Sequence, residues 1–360
     1  MGKTIKVAIV GTQGIPAQYG GFETLTENLV GFKHNQDIEY TVFCSSKDMP
    51  SQPSEHKGAK LKYIGLKSNG VQSIPYDIVA MIKCISGYDC ILVLGVSGCI
   101  FAPILKMLTK SKVIINIDGM EHRREKWGKF AKWFLRTSEK MAVKAADIVI
   151  ADNKGIQDYV KETYNKQAEM IAYGGDHVNR DVSEERQEQI LTEFGLKKHG
   201  YALSICRIEP ENNVGLILEV FSKTGNPIAM LGNFHNNEYS RGIKETYSKF
   251  SNITLIDACY DLDKLYALRN NSAFYVHGHS AGGTNPSLVE AMFFGRPIVA
   301  FGVNYNRYST NHLAEYFNNA AELEQMLAQP RQETGSALKE YAQQHYTWSV
   351  ITKQYEDLLS

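Results

Sequence analysis

The chain has 360 residues, of which 43% are hydrophobic and 22% are charged, and this composition excludes a fibrous or a disordered protein. It contains enough apolar material for two globular domains. Lys plus Arg and Asp plus Glu both number 39, so the formal net charge is zero and no global field favours nucleic acid or an acidic surface. We therefore expect no nucleic-acid partner and only local attraction to charged surfaces.

The cysteines and apolar runs indicate the cellular compartment. The six cysteines are scattered, mostly inside apolar runs, without a CxxC motif, so we interpret them as reduced core residues of a cytoplasmic protein. The stretch MGKTIKVAIVGTQGIP is typical of a strand and a turn, so we expect no secretion signal. Gly, Ser and Asp interrupt the longest apolar runs, so we expect no transmembrane helix.

Short β-rich runs alternate with helical patterns from the N-terminus onward, which predicts parallel α/β sheets. In the first series the predicted strands are 6–10, 40–44, 61–65, 90–95, 112–117 and 147–151. A Gly-Gly turn and a polar helix at 183–195 follow. In the second series the predicted strands are 201–206, 227–231, 253–257, 273–278 and 297–302.

These series predict an α/β protein with two Rossmann-like, doubly wound domains facing a cleft. We place an N-terminal domain at 1–175 and a C-terminal domain at 176–346, with the linker near 174–182. The tail at 347–360 is predicted to be an amphipathic helix that packs back on the N-terminal domain. Ligands of open parallel sheets bind beyond the carboxyl ends of strands, so the loops that follow strands are the candidate sites.

The first such loop is GTQGIPAQYGGFETL at 11–25. Its glycines, among them Gly14, Gly20 and Gly21, permit close approach of a ligand to the backbone. The spacing is not GxGxxG, and no acidic residue ends the second strand, which disfavours a nicotinamide cofactor. The alternative is a tight strand-to-helix turn without a ligand.

A second loop, in INIDGMEHRREKW at 115–127, places Asp118 and Glu121 after a strand. Carboxylates there can bind sugar hydroxyls or accept a proton. The alternative is helix N-capping by Asp118.

The predicted helix from Arg123 to Ala145 carries a basic stripe beside aromatic residues, which suits an anionic membrane surface or a diphosphate-lipid headgroup. An ordinary core-facing helix with a solvated basic side explains it equally well.

The second series carries two further motifs. In LSICRIEPENN, Arg207 follows a strand and can bind phosphate oxygens. In AGGTNPSLVEAMFFGRPIVA, the loop is expected to present backbone N–H groups of a helix start to a phosphate, and Glu290 lies one turn further, where it can bind ribose hydroxyls. We see no DxD motif that would hold a divalent ion, so we predict neither a metal nor a cofactor.

Together with the order of elements, GTQGIPAQYGGFETL, NIDGMEHRREKWG, YALSICRIEPENN and GGTNPSLVEAMFFGRPIVA resemble the GT-B glycosyltransferases of family 4, in particular a bacterial rhamnosyltransferase subgroup of cell-surface polysaccharide assembly. The resemblance implies that Arg207 binds the donor diphosphate and Glu290 the donor ribose. The chain also departs from the family's pattern at several positions. Gly282 stands where the family's E-x7-E pattern has its first Glu, Asn212 or Asn213 replaces a Lys, and Asp118 replaces a His that touches the donor sugar.

From the motifs and the resemblance together, we predict catalytic roles for Asp118, Arg207 and Glu290 and acceptor binding by Tyr19 and Glu121. The predicted donor-binding residues are Gly14, Gly20, Gly21, Asn212, Asn213, Tyr260, Gly282, Gly283, Thr284, Asn285, Ser287 and Leu288.

The predicted activity is transfer of a sugar with retention of configuration. The donor is expected to be dTDP-L-rhamnose, and the acceptor a saccharide carried on a polyprenyl diphosphate. The protein would then be cytoplasmic and peripheral at the inner face of the plasma membrane, with the 123–145 helix in contact with lipid. The alternatives are a UDP- or GDP-sugar donor, a nucleotide-sugar 2-epimerase, and a non-catalytic nucleotide-sugar-binding protein.

Overall fold

A computed structural model of the chain describes residues 4–18, 20–120 and 128–359. The chain divides into two compact units. The first unit comprises Met1–Tyr173 and Trp348–Ser360, and the second comprises Gly174–Thr347. Each unit is built on its own, mainly parallel β-sheet with helices between the strands.

The first unit contains an eight-stranded sheet of order β3-β4-β2-β1-β5-β6-β7-β8. Its strands are β1 Ile5–Val10, β2 Ile38–Ser45, β3 Glu55–His56, β4 Ala59–Ile64, β5 Cys90–Leu94, β6 Lys112–Asn116, β7 Ile148–Ala151 and β8 Glu169–Met170. The pairings are parallel except for the short β3–β4 hairpin. The apolar runs of β1 and β5 are buried because parallel sheets are covered on both faces.

Five helices of the first unit follow strands or connect them, and a sixth comes from the end of the chain. They are α1 Gly21–Gly31, α2 Ser73–Lys83, α3 Ala102–Leu108, α4 Lys129–Ala145, α5 Lys154–Tyr164 and α14 Trp348–Leu359. The sequence pattern of the tail places Val350, Ile351, Tyr355 and Leu358 near one face. In α14, Ile351 and Tyr355 are buried, whereas Val350 and Leu358 are half-buried.

Helix α14 lies against α1. The Glu356 carboxylate accepts hydrogen bonds from two backbone N–H groups in the turn after α1, those of His34 at 2.9 Å and Asn35 at 3.1 Å. The last helix of the chain is therefore part of the first unit, held both by apolar burial and by a charge-assisted contact.

The second unit contains a six-stranded sheet of order β11-β10-β9-β12-β13-β14, with parallel pairings throughout. Its strands are β9 Ala202–Ile205, β10 Ile228–Gly232, β11 Ile253–Asp257, β12 Phe274–His277, β13 Ile298–Phe301 and β14 Glu315–Phe317. Its helices are α6 Glu184–Glu193, α7 Val214–Thr224, α8 Glu238–Tyr247, α9 Leu262–Asn270, α10 Pro286–Met292, α11 Asn304–Ser309, α12 Ala320–Leu327 and α13 Gly335–His345.

In both sheets the strand order reverses once near the middle. The reversal lies between β1 and β5 in the first unit and between β9 and β12 in the second. Ligands of doubly wound sheets bind at such a switch point, outside the carboxyl ends of the strands. The loops after β1, β5, β9 and β12 are therefore the candidate binding sites.

Within the described ranges, no helix has the length and hydropathy needed to cross a bilayer. All six cysteines are free thiols. Cys44, Cys84, Cys90 and Cys99 are buried, as predicted for core residues, whereas Cys206 and Cys259 are half-buried.

A buried carboxyl near the first switch point, that of Asp77, is expected to make the stability of the folded protein depend on pH. Asp77 on α2 is 6% exposed and accepts a hydrogen bond from the N–H of Gly98, in the loop after β5, at 3.2 Å. Burial raises the pKa of Asp77 to about 8, against about 4 in an unfolded chain. Between those values the folded state holds a proton that the unfolded state has released, so stability falls as pH rises.

We expect the Asp77→Asn substitution to remove this pH dependence. The melting temperature of the variant, measured relative to the native protein, should be higher at about pH 8.5 than at about pH 5.5 by several degrees, since each kcal/mol shifts a domain of this size by about 2–4 °C. Asp181 is exposed, so Asp181→Asn is the matched control. Its melting temperature should differ from that of the native protein by the same amount at both pH values. If the melting-temperature difference between Asp77→Asn and the native protein is also the same at both pH values, the pKa of Asp77 is not raised.

Candidate active site

The predicted residues of the second unit lie on two loops at its switch point. Arg207, Asn212 and Asn213 follow β9, and residues 282–288 follow β12, the strand paired with β9. Because the strands are parallel and adjacent, both loops emerge at the same edge of the sheet. The structure therefore brings together two motifs that are about seventy residues apart in the sequence.

Hydrogen bonds fasten these two loops to each other. The Nδ2 of Asn213 donates to the carbonyl of Gly278 at 2.8 Å, and the N–H of Ser280 donates to the carbonyl of Glu211 at 2.9 Å. Asn212 donates through Nδ2 to the carbonyl of Arg207 at 2.7 Å. The two loops thus form one hydrogen-bonded frame at this edge of the sheet.

Asn212 and Asn213 belong to this frame. Asn212 is 3% exposed and uses both ends of its amide within the protein, because its Oδ1 contacts Nδ1 of His279 at 2.7 Å. Asn213 occupies the left-handed region, with φ of 50°. Both residues therefore hold the two loops in position, and their predicted contact with the donor stays a prediction.

Arg207 presents a cation at the edge of the sheet. Its side chain is 44% exposed, and its Nη2 lies 3.4 Å from Oε1 of Glu211. An ion pair this exposed contributes about 0–1 kcal/mol. The guanidinium can therefore leave Glu211 for a phosphate, which it binds through paired N–H donors.

Glu290 is an ionised carboxylate that contacts the side chains of Arg269 and His177. Arg269, at the end of α9, donates from Nη2 to Oε2 of Glu290, and Nε2 of His177 lies 3.4 Å from Oε1. Burial raises the pKa of the Glu290 carboxyl, but the charge of Arg269 and the hydrogen bond with His177 outweigh burial and hold the pKa below its ordinary value. The side chain is 15% exposed, so a hydroxyl-bearing ligand can still reach it.

Sequence reasoning missed Arg269 and His177. The side chain of Arg269 is 4% exposed, and its Nε and Nη1 have no hydrogen-bond partner within the described residues. A buried guanidinium of this kind depends on its carboxylate for compensation. Glu290 therefore has a structural role, whatever ligand it binds.

The start of the helix after β12 has fewer free backbone N–H groups than the sequence motif predicts. Pro286, the first residue of the seven-residue α10, has no N–H. The N–H of Ser287 donates to Oδ1 of Asn285 at 3.0 Å, and that of Leu288 donates to the carbonyl of Asn285 at 3.0 Å. Gly283 and Thr284 are buried. A phosphate at Ser287 or Leu288 has to displace these bonds.

Tyr260 lies apart from the switch point. It follows β11, the edge strand two positions from β9, and is 63% exposed.

The nearby Asp261 and Asp263 have a D-x-D spacing, but Asp261 caps α9 by accepting a hydrogen bond from the N–H of Asp263 at 2.9 Å. Asp263 contacts Nε of Arg180 at 3.0 Å. Both carboxylates are thus engaged in local structure, and no cluster suited to a metal is found in the part of the chain that the structure describes.

In the first unit, the loop after β1 is shaped by packing. A Cβ atom at Gly14 would lie 2.7 Å from Cβ of Cys44, a contact that side chains do not make, so packing alone explains this glycine. Gly20 is the N-cap of α1, and Gly21 is its first residue. The predicted acceptor-binding residue Tyr19 lies outside the described residues.

Glu23, on α1, is a further carboxyl at this loop. Its Oε1 accepts hydrogen bonds from the N–H of Gln13 at 2.7 Å and the hydroxyl of Thr12 at 3.1 Å. Burial nevertheless raises the pKa of Glu23 above its ordinary value. Sequence reasoning passed over this residue, although a glutamate in the first turn after a glycine-rich loop is a recognisable signal.

Asp118 follows β6, the neighbour of β5 in the sheet, and is half-buried. Its φ of 60° is unusual for a residue with a side chain, and such conformations concentrate at functional sites. Its N–H donates to Oδ1 of Asn116 at 3.0 Å. Helix α4 begins at Lys129 with Gly128 at its N-cap, so Asp118 does not cap this helix. Glu121 lies outside the described residues.

The described part of the predicted basic helix is α4. Lys129, Arg136, Lys140 and Lys144 are exposed, and no ion pair is recorded for them within the described residues. Phe130 is 77% and Trp133 62% exposed, and their ring centroids are 5.8 Å apart. Phe134 and Met141, by contrast, are half-buried. Residues 123–127 of the predicted helix lie outside the described residues.

Residues 4–176 match a family described as "Domain of unknown function (DUF1972)". No curated protein matches the chain. Among solved structures, sucrose-phosphate synthase from Thermosynechococcus elongatus is similar, with 15% identity and a TM-score of 0.81 over 98% of each chain.

Two further solved structures have the same fold. HepE from Anabaena in complex with UDP has 12% identity and a TM-score of 0.76, over 99% of each chain. The catalytic domain of starch synthase IV from Arabidopsis thaliana, bound to ADP and acarbose, has 13% identity and a TM-score of 0.73, also over 99% of each chain. The fold is GT-B, and the predicted pair of Rossmann-like domains with a C-terminal helix is confirmed.

Proposed function

We propose that the protein is a glycosyltransferase that moves a sugar from a nucleoside diphosphate to a saccharide acceptor. The observation that carries this proposal is the placement of Arg207 and Glu290 at the switch point of the second Rossmann-like unit of a GT-B fold. One residue supplies a cation for a diphosphate and the other an ionised carboxylate for hydroxyl groups.

In this proposal the second unit binds the donor nucleotide. Glu290 accepts hydrogen bonds from the two ribose hydroxyls, because an ionised carboxylate has acceptor sites for both. Arg207 binds the diphosphate. Structures of HepE with UDP and with UDP-glucose support a nucleotide-sugar ligand by analogy of fold.

The proposed reaction breaks the bond between the anomeric carbon and the diphosphate oxygen and forms one to an acceptor hydroxyl. Negative charge develops on the leaving diphosphate, and Arg207 stabilises it in the transition state. The departing phosphate oxygen takes the acceptor proton on the same face, so that configuration is retained. The proposal keeps a catalytic role for Asp118, whose backbone is held in an uncommon conformation.

We further propose that the donor is dTDP-L-rhamnose and that the acceptor is a saccharide on a polyprenyl diphosphate, in cell-surface polysaccharide synthesis. The support is the resemblance of the loop motifs to bacterial rhamnosyltransferases. A thermal-shift screen of dTDP-, UDP- and GDP-sugars tests the donor, since a ligand that binds the folded state raises the melting temperature. The largest shift is expected with dTDP-L-rhamnose. A larger shift with a UDP- or GDP-sugar would reassign the donor.

We propose that a membrane surface holds the lipid-linked acceptor near the enzyme. The contact would be the α3–α4 face, defined by the exposed side chains of α4 and by Met107 and Leu108 of α3, which are 84% and 58% exposed. Apolar and aromatic side chains beside exposed cations are the composition of a surface that binds anionic lipid.

Charge reversal tests the α3–α4 face. The triple variant Lys129→Glu, Arg136→Glu, Lys140→Glu should reduce co-sedimentation with phosphatidylglycerol-containing vesicles by about 100-fold or more, because each cation contributes about 1 kcal/mol. Pure phosphatidylcholine vesicles should recover little of either protein. A control with the same charge change, at the exposed Lys83, Lys161 and Lys198, should still co-sediment. Equal loss in both triple variants would contradict a specific face.

A further inference from the structure

The side chain of Asn116, the last residue of β6, joins the backbone of Asp118 to helix α14. Asn116 is 1% exposed, and its Oδ1 accepts a hydrogen bond from the N–H of Asp118 at 3.0 Å. Its Nδ2 donates to the hydroxyl oxygen of Tyr355, on α14, at 2.8 Å. Tyr355 is also 1% exposed, so the contact between the two side chains is shielded from water.

The backbone N–H of Asp118 fixes the orientation of the Asn116 amide. An N–H group can only donate, so the amide atom that faces it is Oδ1. Nδ2 then points to Tyr355, whose hydroxyl oxygen can accept. A flipped amide would place a donor against the donor of Asp118, so the observed orientation is the one that satisfies both contacts.

The contact with Asn116 closes a turn in which Asp118 has an unusual backbone conformation. Its φ is 60°, in the left-handed region that is disfavoured for residues with a Cβ atom. An Asn side chain that accepts from the N–H two residues later forms an Asx-turn, which holds such a bend locally. The Asn116 side chain therefore stabilises the backbone conformation from which the Asp118 carboxylate extends.

Both ends of this connection are fixed by the fold. The backbone of Asn116 lies in the sheet between β5 and β7, where it pairs with Leu94 and Ile150. At the other end, Glu356, the neighbour of Tyr355 in α14, holds the helix to the turn after α1 through two backbone N–H groups. An amide held between two fixed elements can keep its partner within the narrow geometry that catalysis requires.

We propose that Asn116 and Tyr355 are positioning residues for Asp118. The hydroxyl of Tyr355 holds the Asn116 amide, and the amide holds the turn that carries the Asp118 carboxylate. This inference rests on the proposed function and on the catalytic role that it gives to Asp118. Neither Asn116 nor Tyr355 contacts a substrate in this proposal, so both act through Asp118.

Two substitutions interrupt the connection at different points. Tyr355→Phe removes one hydroxyl and keeps the buried ring, and we expect kcat for sugar transfer to fall about 3- to 10-fold, the range for one neutral hydrogen bond. Asn116→Ala also removes the contact in the turn and should lower kcat about 10- to 100-fold. The dissociation constant of the free nucleotide should not change, because the nucleotide is proposed to bind the second unit. Melting curves establish that each variant is folded at the assay temperature.

Tyr63→Phe is the matched control. The hydroxyl of Tyr63 donates to the carbonyl of Pro53 at 2.8 Å, and Tyr63 lies on β4, four positions from β6 in the same sheet. This variant also loses one tyrosine hydrogen bond of the first unit, but one that does not lead to Asp118. Its kcat should match that of the native protein.

A double-mutant cycle with Asp118→Asn separates a positioning role from a purely structural one. Asp118→Asn removes the carboxylate but keeps a residue that tolerates the left-handed region, and should lower kcat about 10- to 100-fold, as for the loss of a hydrogen bond made by a charged group. Because Tyr355 acts through this carboxylate, Tyr355→Phe should cause no further loss in the Asp118→Asn background. Single-turnover rates with the protein in excess give all four values.

The same fold loss from Tyr355→Phe in both backgrounds would assign Tyr355 a structural role and overturn the inference. Native kcat in Tyr355→Phe and Asn116→Ala, or in Asp118→Asn, would overturn it as well. In these cases the proposed function stands, because the native protein still transfers the sugar. A native protein that transfers sugar from no dTDP-, UDP- or GDP-sugar would overturn the proposed function, and this inference with it.

Discussion

Replacing Glu290 with alanine is expected to abolish sugar transfer and also to lower the melting temperature by about 10 °C, because it leaves a buried guanidinium uncompensated at a cost of about 3–5 kcal/mol. That guanidinium belongs to Arg269, whose side chain is 4% exposed. Loss of activity in Glu290→Ala is therefore not by itself evidence for a catalytic site. Thermal melting and turnover have to be measured on the same preparation.

A second variant separates the two effects. In Glu290→Gln with Arg269→Met both charges are removed together, so stability should recover relative to Glu290→Ala while nucleotide binding stays lost. Glu315→Ala is the matched control, since Glu315 forms a similarly buried pair with Arg331 at 3.4 Å outside the site. It should lose stability and retain transfer. Near-normal turnover in the double variant would refute the role of Glu290.

The Arg207→Ala substitution is expected to reduce turnover by about 10²–10³-fold, the usual effect of removing one group that stabilises transition-state charge. The melting temperature should change little, because the side chain is 44% exposed and pairs only with Glu211, at 3.4 Å, within the described residues. Steady-state kinetics with a saturating acceptor measure the effect. The main loss should be in kcat, since charge on the leaving diphosphate grows as the bond breaks.

Arg207→Lys tests the geometry of the contact. It keeps the charge but cannot donate two parallel hydrogen bonds, so we expect partial recovery. Arg186→Ala, on α6 of the same unit, is the control for loss of an arginine and should be as active as the native protein. If Arg207→Ala retained more than about a third of native turnover, the leaving-group role would have to be abandoned.

The sequence predicts most of the fold because the central strands are long, apolar runs with helices between them. All eleven predicted strands are present, with ends shifted by at most a few residues. The strands it missed, Glu55–His56, Glu169–Met170 and Glu315–Phe317, have two or three residues. Such short segments carry no periodicity, and tertiary pairing alone defines them.

The candidate site is predictable only in part. Arg207 and Glu290 stand out because they follow strands in recognisable motifs. Arg269 cannot be recognised in this way, since a basic residue in the last turn of a helix is common and its contact with Glu290 arises from packing. His177 has no local signal either.

His279 is not predicted from the sequence either, for a different reason. It lies two residues beyond the end of β12, in the sequence HGHS, and a polar residue at the carboxyl end of a central strand could have been noticed. Its contact with Asn212, at 2.7 Å, arises from packing between two loops and has no local signal in the sequence.

The central claim, that the protein transfers a sugar from a nucleotide donor, is tested most directly by following the reaction by NMR. The native protein is incubated with dTDP-L-rhamnose and a saccharide on a polyprenyl diphosphate, each alone and then together. The account predicts that dTDP is released and the sugar joins the acceptor only when both are present, with the anomeric configuration of the donor. A new nucleotide sugar formed without acceptor, or tight donor binding with no transfer from any dTDP-, UDP- or GDP-sugar, would contradict it.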